Sequence, residues 1–209
     1  MTAHRALIRR AAAVAAAATA AVLLAACGGG DDSSSGHSGH APSAPSASAS
    51  PQEGEHNAAD VSFAQGMIPH HRQAVEMAGL AATRAGSAEV EALAAEIKKA
   101  QDPEIRTLSG WLDSWGEDVP EEDEGGEHAG HAMSGMMTPE EMAELEMVSG
   151  EAFDTAFLEM MIKHHEGAVE MARTEQADGS YRPAKDMAGD IVTSQSAEIT
   201  RMNELLGKN

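Results

Sequence analysis

From about residue 58 to residue 207, apolar side chains recur every three or four positions, the spacing of one helix face. Alternating strand patterns are nearly absent, and Ala and Glu, both good helix formers, are the commonest residues. On a wheel of about 100° per residue, Phe63, Ala64, Met67, Ile68, His71, Ala74, Val75, Ala78 and Ala81 form one stripe with His71 near its middle, and His70 and Met77 sit at its edge. Glu76 falls on the opposite, solvent side. The pattern predicts helices over about 59–84, 88–115, 150–176 and 183–206. Breaks are expected at Gly86-Ser87 and at Asp178-Gly179-Ser180, with Pro183 near a helix start. Thr138-Pro139-Glu140-Glu141 reads as the capped start of a short additional helix running to about Val148 and stopped by Ser149-Gly150. Pro69 removes one backbone donor and is expected to kink the first helix.

The stripe occurs twice. Phe63, Met67, Ile68, His70, His71, Ala74, Val75, Glu76, Met77 and Ala78 match Phe157, Met161, Ile162, His164, His165, Ala168, Val169, Glu170, Met171 and Ala172, a 94-residue offset. Ile97, Gln101, Glu104 and Ile105 match Ile191, Gln195, Glu198 and Ile199 at the same offset, and Asp60 matches Asp154. Each copy is therefore a helical hairpin, in repeats 58–116 and 150–207. A hairpin with one apolar face is not stable alone, so the two are expected to close into an all-α, antiparallel four-helix bundle over 58–209. A pseudo-two-fold axis then relates the halves and turns His71 and His165 inward.

The ends add a cell-envelope expectation. Arg5, Arg9 and Arg10 precede the apolar stretch Ala11–Leu24, which is short for a bilayer span. Residues 1–27 read as a signal peptide, and Leu24-Ala25-Ala26-Cys27 resembles the lipobox of bacterial lipoproteins. That resemblance makes Cys27 the lipidated first residue of the mature chain. It is the only cysteine, so neither a disulfide framework nor a thiolate cluster is available. Residues 28–57 are rich in Gly, Ser, Ala, Pro and Asp, and read as a disordered tether carrying His37, His40 and His56. A polar insertion over 117–138 holds His128, His131, Met133, Met136 and Met137. Its metal-donor residues have no expected packing role. After removal of the three leader arginines the chain carries 11 basic and 34 acidic residues. Such a charge attracts cations and argues against nucleic acid as a partner.

Imidazole and thioether together suit copper better than hard cations. Met67 lies three and four residues before His70 and His71, so the three side chains share one turn; Met161, His164 and His165 repeat the arrangement. These six are the primary candidate ligands. Met77 and Met171 lie about 10.5 Å along the helix from His70 and His164 and are candidates for an adjoining site. His128, His131, Met133, Met136 and Met137 are candidates for a separate copper-recruiting site. Gln101 and Gln195 fall on apolar faces, where an unpartnered amide costs roughly 1–3 kcal/mol. Each is expected to bond an imidazole of the repeat and fix its free nitrogen. Binding through neutral imidazole is expected to weaken below about pH 6.5.

At Met67-Ile68-Pro69-His70-His71 and at Phe157 to Ala168 the chain resembles the bacterial family known as domain of unknown function 305. The resemblance covers about 58–206. It implies a ferritin-like four-helix fold and, from secreted members, copper binding through Met67, His70, His71, Met161, His164 and His165. Lys163, which stands where the first copy has Pro69, leaves that set intact. The leading expectation is thus a lipid-anchored, extracytoplasmic protein that buffers or hands on Cu(I) or Cu(II). The alternatives are a ferritin-like metal-dependent redox enzyme and a metal-free structural or partner-binding bundle. Against a carboxylate-bridged di-iron centre, no expected bundle helix carries Glu three residues before a histidine.

Overall fold

The computed structural model describes residues 54–121 and 134–208. Cys27, His37, His40, His128, His131 and Met133 lie outside the described residues. Five helices follow in order: α1 Ala58–Arg84, α2 Ala88–Trp115, the short α3 Pro139–Met147, α4 Glu151–Asp178 and α5 Arg182–Leu205. Among the described residues there is no strand, and no helix is long and apolar enough to cross a membrane. The helix starts follow the chemistry of their caps. Asn57 and Thr138 each accept from the backbone three residues on, while Asp60 and Glu141 reach back to complete capping boxes. Ser87 caps α2, and Gly116 ends it at φ +75, a conformation that favours glycine. Helix α1 runs through Pro69 without a break.

Two hairpins, α1–α2 and α4–α5, pack through α1 against α4. Both ends of that contact are fixed by hydrogen bonds. At one end Asn57 Nδ2 donates to Asp178 O (2.9 Å); at the other, Gly150 N donates to Arg84 O (2.7 Å). The start of α1 thus meets the end of α4 and the reverse, so the helices run antiparallel over their length and their midpoints cross. The duplicated aspartates reinforce the arrangement. Asp60 Oδ1 accepts from Ser180 N (3.1 Å), and Asp154 Oδ1 accepts from Gly86 N (2.8 Å). Donors and acceptors are related by the same 94-residue offset, so each hairpin's first helix clasps the other hairpin's turn. Gly86 allows its turn to close, because a Cβ there would lie 2.6 Å from the Gly150 carbonyl carbon.

Two apolar clusters fill the interior on either side of the crossing. One gathers Ala74, Met77, Leu93, Ile97, Phe153, Phe157 and Met161; the other gathers Phe63, Met67, Ile68, Leu108, Leu112, Ala168 and Ile191. The last residues of the expected tether are ordered against the second end. The His56 ring stacks on Trp115 at 4.5 Å, Trp115 meets Tyr181 edge-on, and Asn57 caps α1. Aromatic stacking and a cap give those residues the contacts that a Gly/Ser-rich segment lacks.

Beside this end lies a buried carboxyl pair. Burial alone pushes Asp60 up, but hydrogen bonds from Glu175 and from the N–H groups of Asn57, Tyr181 and Ser180 outweigh it and hold Asp60 below its ordinary value. Burial, then the adjacent Asp60, pushes Glu175 up to about 8. Neither Glu175 oxygen has a donor among the described residues, as suits a protonated carboxyl that donates to Asp60. The folded pKa is above the unfolded one, so this group favours folding fully below about pH 4.5 and loses that contribution as pH rises toward 8. Glu175→Gln keeps a donor at every pH. Its melting temperature is expected to exceed that of the parent by a margin that grows from pH 5 to pH 8; a margin independent of pH contradicts the protonated pair.

Candidate metal centre

The antiparallel register delivers both His-His pairs to the α1–α4 crossing. The rings of His70 and His164 are 3.8 Å apart between centroids, and those of His164 and His165 are 6.4 Å apart. All four imidazoles have zero exposure. His71 Nε2 donates to Glu104 Oε2 (2.8 Å), and His165 Nε2 donates to Glu198 Oε2 (2.7 Å), again at the repeat offset. His70 Nε2 donates to Ser134 O (3.2 Å). A carboxylate or carbonyl can only accept, so these bonds assign the proton to Nε2 and leave the lone pair on Nδ1. The four Nδ1 atoms have no partner, nor has His164 Nε2. Burial, then the neighbouring His71, lowers His70 to about 3. Burial, then His70, His165 and His71, puts His164 well below its ordinary value. The pair is therefore neutral at pH 7, with lone pairs held in a dry interior.

Met67 and Met161 are fully buried, one turn from their own histidines and on opposite sides of the crossing, in the second and first apolar clusters respectively. Among the described residues, no group of three His, Cys, Asp or Glu is arranged to hold a metal ion. What the crossing does bring together is a cross-helix pair of imidazoles, with Met67 and Met161 buried in the two adjoining clusters; imidazole and thioether are donor types that suit soft ions. Met77 lies in the cluster that also holds Phe157 and Leu158, and Met171 is half-buried against the other cluster.

Two expectations are corrected here. Gln101 and Gln195 are 2% and 3% exposed, but neither amide bonds an imidazole, and both Oε1 atoms lack a partner. Glu104 and Glu198, one turn further on, take that place because a carboxylate makes the stronger bond to an imidazole N–H. Their shared offset was the available signal. The C-terminal end of the insertion also has a packing role. Met137 is buried in the first cluster, Gln73 bonds both its N–H and its C=O, and Ser134 Oγ donates to Glu170. Met136 is half-buried beside it.

The chain matches the family described as Domain of unknown function (DUF305) over residues 60–206 and belongs to it. It is similar to the crystal structure of a Streptomyces coelicolor protein named as a secreted DUF305 protein. That match is at 35% identity with a TM-score of 0.65, covering 72% of this chain and 93% of the other. A DUF305 fragment from Deinococcus radiodurans is 32% identical with a TM-score of 0.64, covering 73% and 98%. CopM in its Cu(II)-bound form is 34% identical with a TM-score of 0.61, covering 70% and 94%. CopM is also known in Cu(I)-bound and Ag-bound forms, which match at 30–31% identity. No curated protein matches the chain.

Because His70 stays neutral when folded down to about pH 3 but takes a proton near 6.5 when free, it favours folding fully above pH 6.5 and loses that contribution as pH falls toward 3. For the metal-free protein, the fall in melting temperature from pH 7 to pH 4.5 is expected to be smaller in His70→Gln than in the parent. Equal falls contradict a buried neutral imidazole.

Proposed function

We propose that this DUF305 protein is an extracytoplasmic copper-binding protein, anchored through a lipidated Cys27, that buffers or hands on copper. The buried crossing of His70 with His164 carries the reading. Five imidazole nitrogens there have no protein partner, although burying an unpartnered polar atom costs roughly 1–3 kcal/mol. Each neutral imidazole there offers one lone pair, and a bound cation gives those four lone pairs a use. The six proposed ligands are Met67, His70, His71, Met161, His164 and His165, with Glu104 and Glu198 orienting His71 and His165 through Nε2. The copper- and silver-bound forms of CopM support the same class of cargo.

Dryness and sulfur favour Cu(I) at the crossing, since thioethers suit the soft monovalent ion. The lowered basicity of His70 and His164 has a second consequence: binding displaces no proton from them at neutral pH, so uptake there persists below the ordinary imidazole range. That revises the simple expectation of loss below pH 6.5. Met136, with His128, His131 and Met133, is proposed as a recruiting site on the insertion, whereas Met137 is committed to packing in the first cluster. The acidic mature chain raises the local concentration of cations in a general way.

Competition titration with a Cu(I) chelator tests the reading. Changing His70, His71, His164 and His165 to Ala is expected to abolish the tightest binding. Met67→Leu with Met161→Leu, which keeps the core filled, is expected to weaken Cu(I) more than Cu(II). Unchanged Cu(I) affinity in both variants, each shown to be folded by circular dichroism, would overturn the assignment.

A further inference from the structure

Ser134–Met137 crosses the α1–α4 seam directly over His70. The Ser134 carbonyl accepts from His70 Nε2 (3.2 Å), and Ser134 itself is exposed while His70 beneath it is not. On that side, one thickness of chain separates the imidazole from solvent. The segment is held at both ends. Gln73 on α1 accepts from Met137 N (2.7 Å) and donates to Met137 O (2.9 Å), and Ser134 Oγ donates to Glu170 on α4 (2.8 Å). The fit to α4 is backbone against backbone. A Cβ on Gly167 would lie 1.9 Å from Ser134 O, and one on Gly135, at φ +83, would lie 2.5 Å from Lys163 O. The pseudo-two-fold is broken here: His164 Nε2, the counterpart of the capped His70 Nε2, has no partner.

We propose that Ser134–Met137 is a strap closing the His70 side of the buried centre, and that monovalent copper or silver enters and leaves by its release. The proposal rests on the copper reading above. Its anchors are hydrogen bonds apart from Met137, which is buried in the first cluster, so the end at Ser134 is the more weakly held. Met136 lies on the strap itself and places a thioether at the mouth, where an incoming soft ion meets it before the imidazoles. Closure also fixes the His70 tautomer, keeping Nδ1 free toward the interior. The strap thus governs the rate of exchange and leaves equilibrium affinity nearly unchanged.

Two variants of the full chain open the strap from different sides. Gly167→Ala leaves no room for Ser134 O, and Gln73→Ala removes both bonds to Met137. Hydrogen exchange at the Met137 amide reads strap release, and stopped-flow transfer of Cu(I) from and to bicinchoninate reads access. Both variants are expected to exchange that amide faster and to move Cu(I) about tenfold faster, the factor set by losing bonds of ordinary strength. Equilibrium affinity is expected to stay within about threefold. A faster amide with unchanged transfer rates overturns the gate while leaving the copper reading intact. An unchanged amide in Gly167→Ala overturns the close packing and the gate with it. A parent protein that takes up no Cu(I) at equilibrium defeats the copper reading first.

Discussion

The antiparallel register of α1 against α4 is the constraint on which the other features depend. It is fixed at one end by Asn57 on Asp178 and at the other by Gly150 on Arg84. Asp60 and Asp154 repeat the restraint by symmetry. Two helices tied at both ends have one midpoint crossing, and the sequence places a His-His pair there on each. A slip of one residue would rotate each stripe by about 100° and separate His70 from His164. The turns at 85–87 and 178–181 are therefore as much part of the centre as the imidazoles are.

The crossing is costly to the fold. Imidazoles with free nitrogens replace apolar side chains at the most enclosed level of the bundle, between two well-filled clusters. Burial suppresses protonation of His70 and His164, which keeps repulsion between those two close rings out of the folded state at neutral pH. Glu104 and Glu198 restrain one imidazole of each pair, the strap restrains a third, and His164 is left untethered. A centre so enclosed needs an entrance, and the thin cover over His70 lies where the repeat symmetry is broken.

Much of this was legible in the chain because it rests on periodicity and duplication. The 3.6-residue stripe located the four long helices to within two residues, and Thr138 with Glu141 announced α3. The doubled histidines and the family motifs located the crossing. Other features depend on tertiary contact and carried weaker signals. Gln101 and Glu104 both repeat at the same offset, and only the packed geometry shows that the carboxylate reaches the imidazole. Ser134 and Gly135 look like any polar insertion until Gly167 is seen to admit their backbone. His56 was grouped with a tether by composition, yet Trp115 holds it. Glu175 has Ala81 as its counterpart in the first copy, so duplication gave no warning of a buried carboxyl beside Asp60.

The central claim is that imidazoles at the helix crossing, flanked by methionine sulfur, take a monovalent soft ion. Copper K-edge X-ray absorption of the protein loaded with a single equivalent of Cu(I) tests it most directly. The account predicts a low-coordinate first shell of imidazole nitrogen with a thioether sulfur contribution, the imidazole scattering falling when His70 and His164 are replaced. A shell of oxygen donors alone, or imidazole scattering indifferent to those two residues, would contradict it.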